Sequence, residues 1–225
     1  LAKDKKGVAL RAPSWWAEAI HAGRLANVRG LAPKKVAELE FEVSLRGGKT
    51  TQAKVAYHGA SAYKKSVAAP LLLTVLETGQ DAKAFFKALV DGNEAFKKGW
   101  IVAAVADSPT FPVIKDPTAA ITALVALRDG FNIDSDRWFV QGIGKTAVVV
   151  QALACEVVPD RIAGIVLRNP TEAKINTNSG MFSAFTIHDD AGKAVAEAYT
   201  KLNAEKNKAV AAGDTAEQAL LDWLT

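Results

Sequence analysis

The 225-residue chain has few of the side chains that form covalent cross-links or metal clusters. Cys155 is its only cysteine, so an internal disulfide and a thiolate metal cluster are both excluded. Cys155 lies in the apolar run VVVQALACEVV, where we expect a small buried hydrophobe and not a nucleophile. No residue pattern indicates a cofactor, and none is expected.

Long apolar runs are also missing. PLLLTVL and WIVAAVA fall far short of the roughly 18 to 20 residues that span a bilayer, so no membrane span is expected. The net charge of +4 comes mostly from lysine pairs spread along the chain, whereas nucleic-acid binders usually concentrate their charge on one element. We therefore expect a solvated surface and no nucleic acid, with an anionic polymer or a membrane surface as the alternative.

The composition, 49% hydrophobic and 23% charged, is that of a globular protein. Residues 36–225 are predicted to form one domain, preceded by an N-terminal arm at residues 1–35. The arm contains APSWWAEAIHAG, an expected amphipathic helix with Trp15 or Trp16 packed on the body. Alternatively, Trp15 and Trp16 dock a protein partner or a second copy. The sequence begins at Leu1, so a signal peptide is neither seen nor excluded. An extracytoplasmic location after removal of a signal peptide is favoured over a cytoplasmic one by analogy alone.

Two kinds of segment alternate after residue 35. VAELEFEVSLRG and TTQAKVAYHG alternate apolar and polar residues, which predicts an antiparallel hairpin. Continuously apolar strands are predicted at 70–77, 99–107, 137–142, 162–169 and 182–189, separated by helical stretches at 81–96, 116–131, 145–158, 192–207 and 214–224. The pattern predicts a three-layer α/β/α sandwich with a mostly parallel central sheet and antiparallel first strands.

The stretch FVQGIGKTA contains GKT, as phosphate-binding loops do. Such a loop needs a glycine six residues before its lysine, and counting back from Lys145 gives Phe139, inside a predicted strand. We therefore expect no nucleotide at Gly144, Lys145 and Thr146.

The order of segments from about Tyr63 onward resembles the α/β-hydrolase superfamily, in the branch of esterases, feruloyl-esterase-like and polyhydroxybutyrate-depolymerase-like enzymes. The likeness rests on AYKKSVAAPLLLTVLETGQDAKAFF, FNIDSDRWFVQGIGKTA, PDRIAGIVLRNP and the terminal ALLDWL. The resemblance implies an α/β-hydrolase fold and a nucleophile elbow, GxSxG, after the strand RWFVQ.

The elbow motif falls on Gly142-Ile143-Gly144-Lys145-Thr146, with Gly144 at the nucleophile position and Thr146 at the closing glycine. The elbow holds its central residue in a sparsely allowed backbone conformation, which costs a side chain roughly 1 to 3 kcal/mol and a glycine much less. Glycine at position 144 would thus permit the turn but supply no side chain to act as the nucleophile.

The other parts of the implied catalytic site also depart from the family pattern. The oxyanion loop, usually His-Gly-x-Gly, is Glu77-Thr78-Gly79-Gln80, and a carboxylate there would repel an oxyanion. Asp189 or Asp190 could be the triad acid, or could cap the next helix.

No histidine occurs in KAVAAGDTAE, the expected loop before the last helix, where the resemblance places the triad base. His21 and His58 precede the core strands, His188 lies on or beside a late strand, and His58 is interpreted as a turn residue. None of the three occupies the expected position of the base.

Three functional hypotheses follow. In the first, the chain is a pseudoenzyme that keeps the hydrolase scaffold for a structural, assembly or ligand-binding role. In the second, it is an active esterase-like hydrolase with a rebuilt site, in which Lys145 or Thr146 is the nucleophile and Glu77 with Asp107 acts as acid and base. In the third, it is an interaction subunit that docks through Trp15 and Trp16.

Overall fold

The computed structural model describes residues 2–3, 9–10, 23, 26, 28–31, 36–44, 48, 50–158 and 161–224. Trp15, Trp16 and His21 lie outside these residues, as does most of the arm. The predictions made for these three residues therefore remain predictions.

The described strands form two sheets. A two-stranded sheet pairs β1 (Ala2–Lys3) with β2 (Ala9–Leu10). The central sheet contains β3 (Ala37–Ser44), β4 (Thr50–His58), β5 (Ala69–Leu76), β6 (Ile101–Ala106), β7 (Ile133–Ile143), β8 (Gly164–Arg168), β9 (Ser183–His188) and β10 (Lys208–Ala211).

The central sheet has the strand order β10-β9-β8-β7-β5-β6-β4-β3. Strands β5 to β10 run parallel to one another, whereas β4 is antiparallel to its two neighbours, β6 and β3. The predicted hairpin and the mostly parallel sheet are therefore confirmed.

Helices cover both faces of this sheet. They are α1 (Ala82–Phe86, continued by a π-helical turn at Lys87–Asp91), α2 (Glu94–Gly99), α3 (Thr118–Gly130), α4 (Thr146–Ala152, continued by a π-helical turn at Leu153–Val157), α5 (Lys193–Leu202) and α6 (Ala216–Leu224), with a 3₁₀ turn at Thr177–Gly180. None of the helices in the described residues is both long and apolar enough to cross a membrane.

The core has two halves because successive strand residues face opposite sides of the sheet. Leu71, Leu73 and Val75 of β5 pack with α3, α4 and α5 in one half. Leu72 and Leu76 of the same strand pack with α1, α2 and α6 in the other. All of β5 is buried, as the continuous apolar run predicted, and the three-layer sandwich is confirmed.

Some boundaries differ from the predictions. β7 begins at Ile133, four residues before the predicted start, with an irregular register against β5. The first predicted helix is broken at Gly92, because the Asn93 side chain accepts hydrogen bonds from the amides of Ala95 and Phe96 and starts a second helix.

A larger error concerns residues 208–211, which were interpreted as part of the loop before the last helix. They form β10, which pairs in parallel with β9 from Lys208 to Ala211. Only four residues long and partly exposed, this edge strand lacks the long apolar run by which the other strands were identified.

His58 also differs from its interpretation as a turn residue. It is the last residue of β4, pairs with Val102 of β6, and is buried with 6% of its surface exposed. Tyr63, at the start of the region of resemblance, lies between β4 and β5: its hydroxyl accepts the Asn132 amide hydrogen at 2.8 Å, and its ring packs edge-on against Phe131.

Candidate functional site

The carboxyl ends of the parallel strands meet at one edge of the sheet, where such folds place their sites. Glu77 follows β5, Asp107 follows β6, Gly144 follows β7 and Asp189 follows β9. Sequence analysis named all four as candidates, and the topology brings them to this edge.

The turn between β7 and α4 has the geometry expected of an elbow. Gly144 has φ of +58°, in the left-handed region that favours glycine. A Cβ atom on Gly142 would lie 2.5 Å from the Thr146 carbonyl oxygen and 2.6 Å from the Ala147 Cα. Helix α4 thus crosses the end of β7 so closely that glycine is required at 142.

Thr146 stands at the position where the elbow motif has its closing glycine. Its side chain is fully buried, its hydroxyl donates to the Val75 carbonyl oxygen at 2.7 Å, and it accepts the Ile143 amide hydrogen at 2.8 Å. The hydroxyl therefore ties the elbow to the neighbouring strand β5. Its burial and these two bonds count against the hypothesis of Thr146 as a nucleophile.

We expect Thr146→Val to destabilise the fold by roughly 2 kcal/mol, because the Ile143 amide and the Val75 carbonyl would lose a buried partner. Thr146→Ser keeps the hydroxyl and should cost less. Urea unfolding of the three proteins measures the difference, and equal midpoints for valine and serine would contradict this role.

The Glu77 carboxylate occupies the elbow. Its Oε1 accepts the backbone amide hydrogen of Lys145 at 3.2 Å, and the same oxygen would lie 3.2 Å from a Cβ on Gly144. In an α/β-hydrolase elbow, the amide after the nucleophile is a donor of the oxyanion hole. Here the amide at the corresponding position, that of Lys145, donates to the chain's own Glu77 carboxylate.

The rest of the loop after β5 holds Glu77 in place. The Gln80 side-chain oxygen accepts the Glu77 amide hydrogen at 2.9 Å, and Gly79 adopts φ of +81°. The Thr78 hydroxyl donates to Asp107 Oδ2 at 2.7 Å, while Asp107 Oδ1 accepts the Ile114 amide hydrogen at 2.9 Å. Asp107 therefore joins the loops after β5 and β6.

The candidate acid lies in a turn before α5. Asp189 Oδ1 accepts the Gly192 amide hydrogen at 2.9 Å, and the Asp189 amide donates to Asn169 Oδ1 at 3.1 Å. Asp190 is exposed. Asp189 therefore closes the turn before α5, whose N-cap is Gly192 without a side-chain capping bond, and the roles of helix cap and of triad acid both stay predictions.

The loop between β10 and α6 consists of residues 212–215, with the sequence AGDT. His188 is the last residue of β9, and its ring nitrogen Nδ1 lies 3.0 Å from the Asp189 carbonyl oxygen. The loop expected to hold a triad base therefore contains no histidine in the structure, as in the sequence.

A cleft of about 580 Å³ opens beside the elbow. Ile114, Val148, Val149 and Ala152 line its apolar part. Its charged lining comes from three lysines and two glutamates, Lys115, Lys145, Lys174, Glu156 and Glu172. We call it the lysine cleft. A smaller cleft of about 360 Å³, lined by Thr78, Asp107 and Ser108, shares Ile114 and Lys115 with it.

The wall at residues 172–174 is fixed by a buried glutamine. Gln151 Nε2 donates to the Glu172 carbonyl oxygen at 3.0 Å, and its Oε1 accepts the Lys174 amide hydrogen at 2.6 Å.

Cys155 is fully buried, and its sulfur lies 3.2 Å from the Ser179 hydroxyl oxygen. Burial raises the pKa of the Cys155 thiol, so the side chain has the predicted role of a small buried residue.

Comparisons with known proteins give the fold a name. No protein-family model and no curated protein matches the sequence. Among solved structures, a feruloyl esterase module from Clostridium thermocellum, solved as a mutant with sinapinate, matches with a TM-score of 0.62 at 7% identity over 83% of each chain. A thermostable esterase gives 0.61 at 14% identity over 83% of this chain and 62% of that chain. An ester hydrolase from the metagenome of Lake Arreo gives 0.58 at 13% identity over 95% and 87%.

The chain has the α/β-hydrolase fold. Its strand order and its sharp turn at Gly144 agree with the resemblance found in the sequence. Within the ranges that the structure describes, no group of three or more histidine, cysteine, aspartate or glutamate side chains is arranged to hold a metal ion.

Sequence reasoning did not identify the lysine cleft. Lys115 lies in the turn after β6 and Lys174 in an irregular segment after β8, fifty-nine positions apart in sequence (174 − 115). No periodic pattern joins them, and only the strand order places both beside Lys145.

Proposed function

We propose that this α/β-hydrolase-fold protein binds a ligand at the strand edge and does not perform acyl transfer. The observation that supports it most directly is the Glu77 carboxylate on the Lys145 amide, beside Gly144. Glycine offers no nucleophilic atom, and a negative charge bound to the oxyanion donor opposes a second negative charge at the same place.

The missing base supports the same proposal. The loop at 212–215 offers no imidazole, and removal of nucleophile or base alone costs on the order of a million-fold in kcat in a serine hydrolase. The rebuilt-site alternative would rely on Lys145, Glu77 and Asp107, since the burial of Thr146 argues against it as a nucleophile. The scaffold's concave edge, in contrast, remains open as two adjoining clefts.

Activity-based labelling tests the proposal. We expect the wild-type protein to remain unlabelled by a fluorophosphonate probe and to hydrolyse p-nitrophenyl acetate and butyrate no faster than buffer does. A serine esterase treated in parallel shows that the probe and the esters are reactive. Labelling of any residue in either cleft, located by mass spectrometry, would refute the proposal.

Gly144→Ser is the informative variant, since it supplies a hydroxyl at the elbow with φ of +58°. We expect it to fold with a loss of roughly 1 to 3 kcal/mol and still to show no ester turnover, because the base is missing and Glu77 holds the amide. Ester turnover in this variant would mean that a base and an oxyanion hole are still functional, contrary to the proposal.

A further inference from the structure

The lysine cleft has apolar side chains in its lining and more positive than negative ones. Lys174 pairs with Glu156 at 3.1 Å, so these two charges largely cancel. Within the described part of the chain, Lys115 and Lys145 have no carboxylate within salt-bridge distance. With Glu172 as the remaining acid, the lining has an excess of positive charge.

The apolar part of the cleft is made by one face of α4 and the turn before α3. Val149 and Ala152 are buried at 3% and 4% exposure, Val148 is half-buried, and Ile114, which also lines the cleft, remains 40% exposed. The exposed Ile114 and the half-buried Val148 leave apolar surface in the cleft that a ligand could cover. The volume of about 580 Å³ lies within the range of small-molecule sites.

We propose that the lysine cleft binds a small apolar carboxylate, with its hydrocarbon part against Ile114 and Val148 and its carboxylate between Lys115 and Lys145. The proposal rests on the proposed function, because it names the ligand class of a site that does not break ester bonds. The excess of positive charge favours an anion over a cation, and the apolar surface of Ile114 and Val148 favours a ligand that carries a hydrocarbon part.

Octanoate and octanamide form a matched pair of probes, equal in chain length and differing in charge. We expect isothermal titration calorimetry of the wild-type protein to show octanoate binding at least ten-fold tighter than octanamide, and weakening as salt is raised. Lys115→Met and Lys145→Met should each weaken octanoate about five-fold and leave octanamide unchanged. Lys83→Met, an exposed lysine on α1 away from the cleft, is the control and should change neither.

Val148→Glu places a third carboxylate in the cleft and should abolish octanoate binding. Thermal melts of all variants confirm that they fold. Equal affinity for octanoate and octanamide, no binding of either, or an effect of Lys83→Met equal to that of Lys145→Met would each overturn the inference.

Different results would refute the proposed function and the proposal about the ligand. A protein that hydrolyses esters yet prefers octanoate through Lys115 and Lys145 would refute the proposed function alone. A protein without ester turnover that does not distinguish the two probes would refute this inference alone.

Discussion

Gly142→Ala is expected to destabilise the fold by roughly 3 kcal/mol, because the new methyl group would meet main-chain atoms that have no space to move into. The Cβ would lie 2.5 Å from the Thr146 carbonyl oxygen, 2.6 Å from the Ala147 Cα and 2.7 Å from the Ala147 nitrogen. Relief requires α4 to move away from β7, which would also strain the buried Thr146 bond to Val75. Urea denaturation monitored by tryptophan fluorescence measures the loss.

Gly92→Ala is the matched control. Gly92 has φ of −84°, and a Cβ there would have no heavy atom within 4 Å, so the substitution should be neutral or stabilise by a few tenths of a kcal/mol. If Gly142→Ala unfolded at the same urea concentration as Gly92→Ala, the close crossing of α4 over β7 would be wrong.

Prediction from sequence succeeded where a single strong pattern determined the outcome. The apolar run at 70–77 predicted a strand buried on both faces, and β5 is fully buried between two layers of helices. The family resemblance placed the elbow at residues 142–146, and the structure has a sharp turn there in which main-chain contacts require glycine at 142.

Prediction from sequence failed for features that are formed by contacts between residues distant in the chain. The edge strand β10 is stabilised by pairing with β9, which its four-residue sequence does not reveal. Similarly, the sequence suggested that Glu77 would repel an oxyanion, but not that its carboxylate would bind the Lys145 amide, a contact across 68 positions of sequence. The lysine cleft depends on the same long-range placement.

Gln151→Leu should destabilise the protein by roughly 3 kcal/mol and also weaken octanoate binding. The fully buried side chain bonds to the Glu172 carbonyl oxygen, the Lys174 amide and, at 3.1 Å, the Tyr199 hydroxyl. Burial raises the pKa of Tyr199, so its hydroxyl stays protonated and donates to Gln151. Leucine has a similar volume but no polar atom, and each group left unpaired in the interior costs about 1 to 3 kcal/mol, less where water can enter.

The loss of binding has a separate cause from the loss of stability. Gln151 fixes the segment from Glu172 to Lys174, which forms one wall of the lysine cleft, so its removal should loosen that wall even in molecules that remain folded. Gln218→Leu is the control, because Gln218 is an exposed glutamine on α6 whose amide bonds only to the exposed Asp222 side chain among the described contacts. It should change stability by less than about 0.5 kcal/mol. Hydrogen exchange at the Lys174 amide, compared between the two variants, measures the loosening directly, and unchanged protection in Gln151→Leu would contradict this role of the glutamine.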